Sequence, residues 1–248
     1  MVRRFLAAGL FIFLLHLPVF SDEIENRLQT VSLFGSGENL SFTILMTINS
    51  PRGIKERTIE AYMQQDESGS NILLQVIEPV FLRKLKFLQK KDKKGRETIW
   101  MAASSGVRRI SGQNSGERVF DSDFTVEDFS SVNTDTYSFT ELPGEAVSNK
   151  TMDVILGDLL KPRGAEITRK KLYIDSETDM LMQVDFFSFR GDLVKRYKVI
   201  ETQIKNGEPF PRICRMDTFG DKSYTILTVE KIDSETAVPA NKFNPGSL

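Results

Sequence analysis

The chain is nearly devoid of the side chains that bind metals and shuttle protons. Its 248 residues include one histidine, His16, one cysteine, Cys214, and one tryptophan, Trp100. His16 falls in the N-terminal stretch MVRRFLAAGLFIFLLHLPVFSDE. If that stretch is a leader, no histidine remains after processing, which excludes Ser–His and Cys–His nucleophile pairs and the usual His-rich zinc site. A single cysteine excludes an internal disulfide framework. Its surroundings, PRICRMD, read as a strand position, where a buried thiol is the ordinary expectation. Gly35-x-Gly37 lacks a third glycine and precedes a strand, so it is not a dinucleotide loop, and there is no Gly-x-x-x-x-Gly-Lys phosphate loop. Neither sign of charge dominates: 33 basic against 34 acidic residues leave a formal charge of −1. That balance argues against nucleic acid as the main partner.

The N-terminus reads as a secretory signal peptide. Arg3 and Arg4 form a positive start, Phe5 to Leu15 a short apolar core, and Val19 and Ser21 the small-residue cleavage pattern, with Asp22 as the mature start. The apolar run is shorter than the roughly 20 residues of a spanning helix, and Pro18 interrupts it. No cysteine follows it to take a lipid. The expectation is a leader over 1–21 and one soluble periplasmic domain over 22–248. The exported chain would carry a charge of about −3, since only Arg3 and Arg4 are lost.

What the chain does have is alternation. Ile24, Leu28 and Val31 are spaced for a short amphipathic helix over 22–34, and from Asn39 onwards the period becomes two. In SFTILMTIN, Phe42, Ile44, Met46 and Ile48 share one face; in TIEAYMQQ, Ile59, Ala61 and Met63 do. NILLQVIEP, LRKLKFLQKK and RETIWMAAS follow, the last two joined by the turn DKKG. After a polar stretch from Ser130 to Thr136 come TYSFTEL, MDVILGDLL and KKLYID. A meander then closes the chain, its turns SETD, RGD, KNGE and GDKS carrying the Gly, Asp and Asn that tight reversals need. The C-terminal PANKFNPGSL reads as irregular. Strands every ten residues or so predict a mainly β fold: a large antiparallel sheet curled into a barrel or half-barrel, with two or three short helices over its concave face.

The strand candidate ETIWMAAS is followed by a basic, Gly- and Ser-rich link from Gly106 to Gly116, and then by a marked helix start, SDFTVEDF. With Thr125 as N-cap, Asp128 is the third helical residue of a capping box, and Phe124 and Phe129 occupy the two positions of a hydrophobic staple. The acidic group Asp121, Asp123, Glu127 and Asp128 lacks the glycine and bidentate Glu of an EF-hand, and its reading is capping with charge at the positive end of the helix dipole. Arg83, Lys84, Lys86, Lys90, Lys91, Lys93, Lys94 and Arg96 form a basic hairpin. That hairpin either touches anionic headgroups or is a solvated strand and turn whose lysines discourage edge pairing, and near-neutral overall charge favours the second.

This order of strand, basic link and SDFTVEDF helix resembles the outer-membrane lipoprotein-sorting family, the LolA-like periplasmic carriers. The resemblance extends to LSFTILMTI, the strand ending in Glu78–Pro79, KVIET leading into GEPFPRICRM, and the closing NKFNPGSL. Two departures are VFLRKLKFL, which lacks a glycine expected there, and Phe120–Asp121, which replaces a Gly-containing approach to SDF. The resemblance implies a curved antiparallel sheet forming an unclosed, half-open barrel, with helices acting as a lid over an apolar cavity that receives lipid or the acyl chains of a lipoprotein cargo. It implies transfer toward the outer membrane without covalent chemistry, cofactor or metal, a membrane-bound donor or acceptor protein, and transient membrane contact. The apolar residues expected to line such a cavity are Met46, Met63, Phe87, Trp100, Phe124, Phe129, Phe139, Met182 and Phe186. Two alternatives stand beside the carrier. One is a periplasmic sensor or interaction module of the same fold that detects lipoproteins and binds a protein partner. The other is a hydrolase built on Asp121 and Asp123.

Overall fold

A computed structural model describes Ile24, Arg27, Leu28, Val31, Leu33 and residues 39–248 except 68, 112–114, 131–134, 148–149, 206 and 234–237. The leader over 1–21 and most of the N-terminal helix lie outside the described residues. Ile24, Arg27 and Leu28 are helical; Val31 is not, although it is buried with Leu28.

The strands are β1 (Leu40–Ser50), β2 (Gly53–Asp66), β3 (Gly69–Glu78), β4 (Lys86–Asp92), β5 (Glu97–Ala103), β6 (Gly106–Ile110) and β7 (Tyr137–Val147). They continue as β8 (Lys150–Leu159), β9 (Arg169–Asp175), β10 (Leu181–Phe187), β11 (Leu193–Lys205), β12 (Glu208–Thr218) and β13 (Ser223–Asp233). Period-two alternation places them. Leu40, Phe42, Ile44, Met46 and Ile48 of β1 are all buried, and the β2 register sets Phe42 opposite Ala61 and Ile44 opposite Ile59. Each such side chain taken fully from water contributes about 1.5–3 kcal/mol. One register step would turn this whole set to solvent, so the pairing is strongly specified.

All 13 strands form a single antiparallel sheet in the order β6-β5-β4-β3-β2-β1-β13-β12-β11-β10-β9-β8-β7. Every neighbour in that order except β1–β13 is also adjacent in the chain. The sheet is therefore a curled meander whose last strand pairs with its first and whose one break lies between β6 and β7. It is unclosed, as the family resemblance implies. Its two free edges are blunted: β6 exposes Arg108 and Arg109, and β7 carries Pro143 beside a bulge between Leu142 and Glu145.

Three local expectations change. Gly106–Ile110 is not a link but the edge strand β6, hydrogen-bonded to β5 from Ala103–Gly106 to Ile99–Ile110. Arg83 and Lys84 leave the basic hairpin: Val80–Leu82 forms a 3₁₀ turn, so these two residues lie at the opposite end of the sheet from Lys93 and Lys94. The remaining lysines of β4 do not guard an edge, because β4 is paired on both sides. Finally, PANKFNPGSL, expected to be irregular, forms the 3₁₀ turns Ala240–Phe243 and Pro245–Ser247 and covers the convex face. There Val238 and Phe243 close a small second core with Leu73 and Leu88.

Candidate functional site

Since β6 and β7 are consecutive in the chain but at opposite edges of the sheet, the residues between them have to cross the open side. This crossing segment, a plug, includes Val119–Asp121 and the short helix Val126–Phe129. Phe120 and Asp121 both adopt left-handed backbone conformations, φ 54° and 53°. For a bulky residue such as Phe120 this costs about 1–2 kcal/mol, offset by its near-complete burial with Val119. The turn delivers Ser122–Phe124 into the concave face. Buried Asp123 accepts hydrogen bonds from Ser223 Oγ at 2.5 Å and Thr225 Oγ1 at 2.7 Å, both on β13.

The predicted cap is present. Asp128 Oδ2 accepts from the Thr125 amide at 2.6 Å and the Thr125 hydroxyl at 2.8 Å. The staple is present too, with the Phe124 and Phe129 ring centroids 5.9 Å apart. The acidic residues do more than cap. Asp128 pairs with Lys195 of β11, with side chains only 3% and 6% exposed. Glu127 pairs with Lys170 of β9 and accepts from the Tyr137 hydroxyl at 2.8 Å. Burial raises the Glu127 pKa, yet Lys170, Tyr137 and the field of Lys195 outweigh it and hold the carboxyl below its ordinary value. Burial, then Glu127's charge, pushes the Tyr137 phenol upwards. Asp121, 77% exposed, pairs with Arg57, which is 3% exposed on the concave face of β2. Carboxylates thus tie the plug to β2, β9, β11 and β13.

Beneath the plug is a cavity of about 930 Å³, toward the upper end of small-molecule sites at roughly 300–1,000 Å³. Its apolar wall includes Met63, Ile72, Phe129, Phe139, Leu172 and Phe186. Polar residues break that wall: Gln89, Glu127, Asp128 and Lys170 line it as well, and Gln65, Asp66, Lys93 and Lys94 stand where the β2–β3 and β4–β5 hairpins reach it. Lys170 and Lys195 flank the Phe186 ring at 5.6 and 5.1 Å from its centroid. Buried Gln89 contributes an Oε1 with no hydrogen-bond partner among the described residues. A buried amide oxygen left unpaired costs about 1–3 kcal/mol, a cost that a donor on a bound molecule would remove.

Of the nine apolar residues predicted for the cavity, Met63, Phe129, Phe139 and Phe186 lie on its wall. Met46, Phe87 and Phe124 are packed in the core behind it, Phe87 against Phe129 at 5.2 Å. Trp100 is on the other side of the sheet. It stands opposite Leu88, and both face the C-terminal turns, while Met101, opposite Phe87, faces inwards. Met182 sits at a bulge between Leu181 and Gln183, half-buried against both the main core and the convex cluster of Met152, Val154 and Tyr173. Sequence reasoning missed Tyr137, Lys170, Leu172, Tyr197 and Gln89. The alternation of β9 offered a signal for two of them: Lys170 and Leu172 pair with Phe186 and Val184 across the β10 register and so share their face. Cys214 is buried on β12, and its thiol is pushed up to about 12 by burial.

An unclosed antiparallel half-barrel with a plug across its mouth and a cavity beneath defines the class of the protein. The chain belongs to a family described as an uncharacterized protein family, whose model matches residues 69–248. Its fold is that of three solved structures. One is a domain described as outer-membrane lipoprotein-sorting from Vibrio parahaemolyticus, at 19% identity and TM-score 0.75, covering 85% of this chain and 91% of that one. Another is a DUF1329 family protein from Desulfovibrio piger, at 17% identity and TM-score 0.75, covering 91% and 95%. The third is a LolA superfamily protein from Nitrosomonas europaea, at 16% identity and TM-score 0.66, covering 91% and 98%. No curated protein matches the sequence. No helix among the described residues is long and apolar enough to cross a membrane.

Proposed function

We propose that this protein is a non-enzymatic periplasmic carrier that takes lipid, or the acyl chains of a lipoprotein, into the cavity beneath its plug for transfer toward the outer membrane. The observation that carries the reading is the cavity itself: about 930 Å³ between an apolar sheet face and a helix held by ion pairs instead of covalent links. Sequestering an acyl chain gains about 0.8 kcal/mol per buried methylene. A carrier must offset that gain at delivery, and a plug tied at discrete polar points can be exchanged for cargo and restored. Gln89 and Lys170 are the wall groups suited to the polar end of the cargo, one as an acceptor and one as a cation. The carboxylates suggested for hydrolysis are occupied as ties, Asp123 by Ser223 and Thr225 and Asp121 by Arg57.

The test is native mass spectrometry of the exported protein, purified gently from its own compartment. A co-purifying lipid or acylated peptide supports the carrier and names its cargo class. A bare mass, with no uptake of added lipid or lipopeptide, overturns it and favours a sensor module that binds a protein partner.

A further inference from the structure

The antiparallel order places six connections at one end of the half-barrel: β1–β2, β3–β4, β5–β6, β8–β9, β10–β11 and β12–β13. Every one of them bears an exposed large apolar residue at its tip or within two residues of it. These are Ile54, then Val80 and Phe81, then Val107, Leu160, Phe189 and Phe219, with Phe189 82% and Phe81 79% exposed. Lone exposed apolar residues are ordinary; one on each loop of a single rim is not. The connections at the opposite end (67–68, 93–96, 148–149, 176–180 and 206–207) include no exposed large apolar residue among those described. Of the remaining exposed large apolar residues, Ile200 and Ile204, both on β11, only Ile204 approaches that end.

Charge divides the same way. The apolar-tipped connections contain Arg52, Arg83, Lys84, Lys161, Arg163, Arg190 and Lys222 against Glu166, Asp192 and Asp221, a surplus of four positive charges in a chain whose formal charge is −1. The opposite connections hold Lys93, Lys94 and Arg96 against Glu67, Glu177 and Asp179, a surplus of none. Aromatic and aliphatic tips among guanidinium and ammonium groups suit a surface that is negative at its plane and apolar just beneath it.

We propose that this rim docks on the surface of an anionic lipid bilayer, its apolar tips entering the headgroup boundary and its basic residues pairing with lipid phosphates. The rim also connects to the cavity, because the β8–β9 connection exposes Leu160 on the rim and supplies Ala165 and Ile167 to the cavity wall. Docking rests on the loop tips and their charge, not on the carrier reading, and it has its own readout.

The experiment is co-sedimentation of the leader-free protein with vesicles of phosphatidylcholine containing 30 mol% phosphatidylglycerol, and with phosphatidylcholine alone, at two salt concentrations. The expected result is binding to the anionic vesicles that weakens as salt rises and is at least tenfold weaker on neutral ones. Two rim variants, F81S/F189S/F219S and R83E/K84E/R190E, each lower that affinity tenfold or more while keeping the thermal midpoint, since the altered side chains are exposed. K231E, at an exposed position toward the other end of β13, leaves binding within twofold. Failure to sediment with anionic vesicles, equal binding to neutral ones, or equal loss in K231E overturns the proposal. So does rim-dependent capture of a membrane protein without vesicle binding, which makes the rim a protein interface.

Discussion

Replacing Lys195 with methionine tests the central claim about the plug. Lys195 and Asp128 are 6% and 3% exposed, so the substitution leaves a carboxylate out of water without its cation. Breaking a buried pair from one side costs about 3–5 kcal/mol. Here two hydrogen bonds from Thr125 remain on Asp128 Oδ2, at 2.6 and 2.8 Å, and they retain part of its stabilisation. The expected loss is therefore below that range, about 2–3 kcal/mol. For a domain of this size that is a fall in Tm of about 4–12 °C. Asp128→Asn added to Lys195→Met removes the stranded charge while leaving an amide oxygen for the Thr125 N–H. The double variant should recover at least half of the loss, so that the coupling in the cycle is at least about 1 kcal/mol. Urea unfolding followed by far-UV circular dichroism measures all four corners of the cycle. A single-variant loss below about 0.5 kcal/mol, or a double variant whose losses simply add, would refute the view that this pair holds the plug.

Three further outcomes are expected. Gly157 faces Phe139, and a Cβ there would lie 2.8 Å from the ring, so Gly157→Val should cost about 1–3 kcal/mol by overpacking and lower the uptake of a fluorescent fatty acid, read by titration. Glu127 is held below its ordinary value of 4.5, so its contribution is complete above pH 4.5 and is lost as pH falls through the lowered folded pKa; Tm measured from pH 7 to 3 should fall less steeply in Glu127→Gln than in wild type. Phe243→Ala should open the convex cluster around Leu73, Leu88 and Trp100, cost about 3–5 kcal/mol, and red-shift the emission of the single tryptophan; an unchanged spectrum would show that the C-terminal turns do not cover Trp100.

Trp100 shows why the cavity was less legible than the fold. ETIWMAAS alternates well, but a strand with Ile99 and Met101 on one face and Trp100 on the other carries no mark of which face is concave. Size suggested Trp100; the register with Leu88, and a C-terminal tail about 140 residues later in the chain, placed it outside. Phe87 and Phe124 both face the main core, yet whether an inward aromatic fills the core or borders empty space depends on how neighbouring strands diverge. Cap and staple at Thr125, Asp128, Phe124 and Phe129 were readable because each involves residues three or five apart.

The sequence alone determined what is local: period-two strands, turn chemistry at each reversal, and the helix start at SDFTVEDF. Those depend on spacing within a few residues, where side-chain direction follows from backbone geometry. Only the tertiary structure decided that β1 pairs with β13 and that the open seam falls between β6 and β7, so that the plug has to cross it. It also decided that Glu127 and Asp128 meet Lys170 and Lys195, and that scattered apolar loop tips gather on one rim. These are encounters between residues 40 to 190 positions apart, and the curvature of one sheet brings them together.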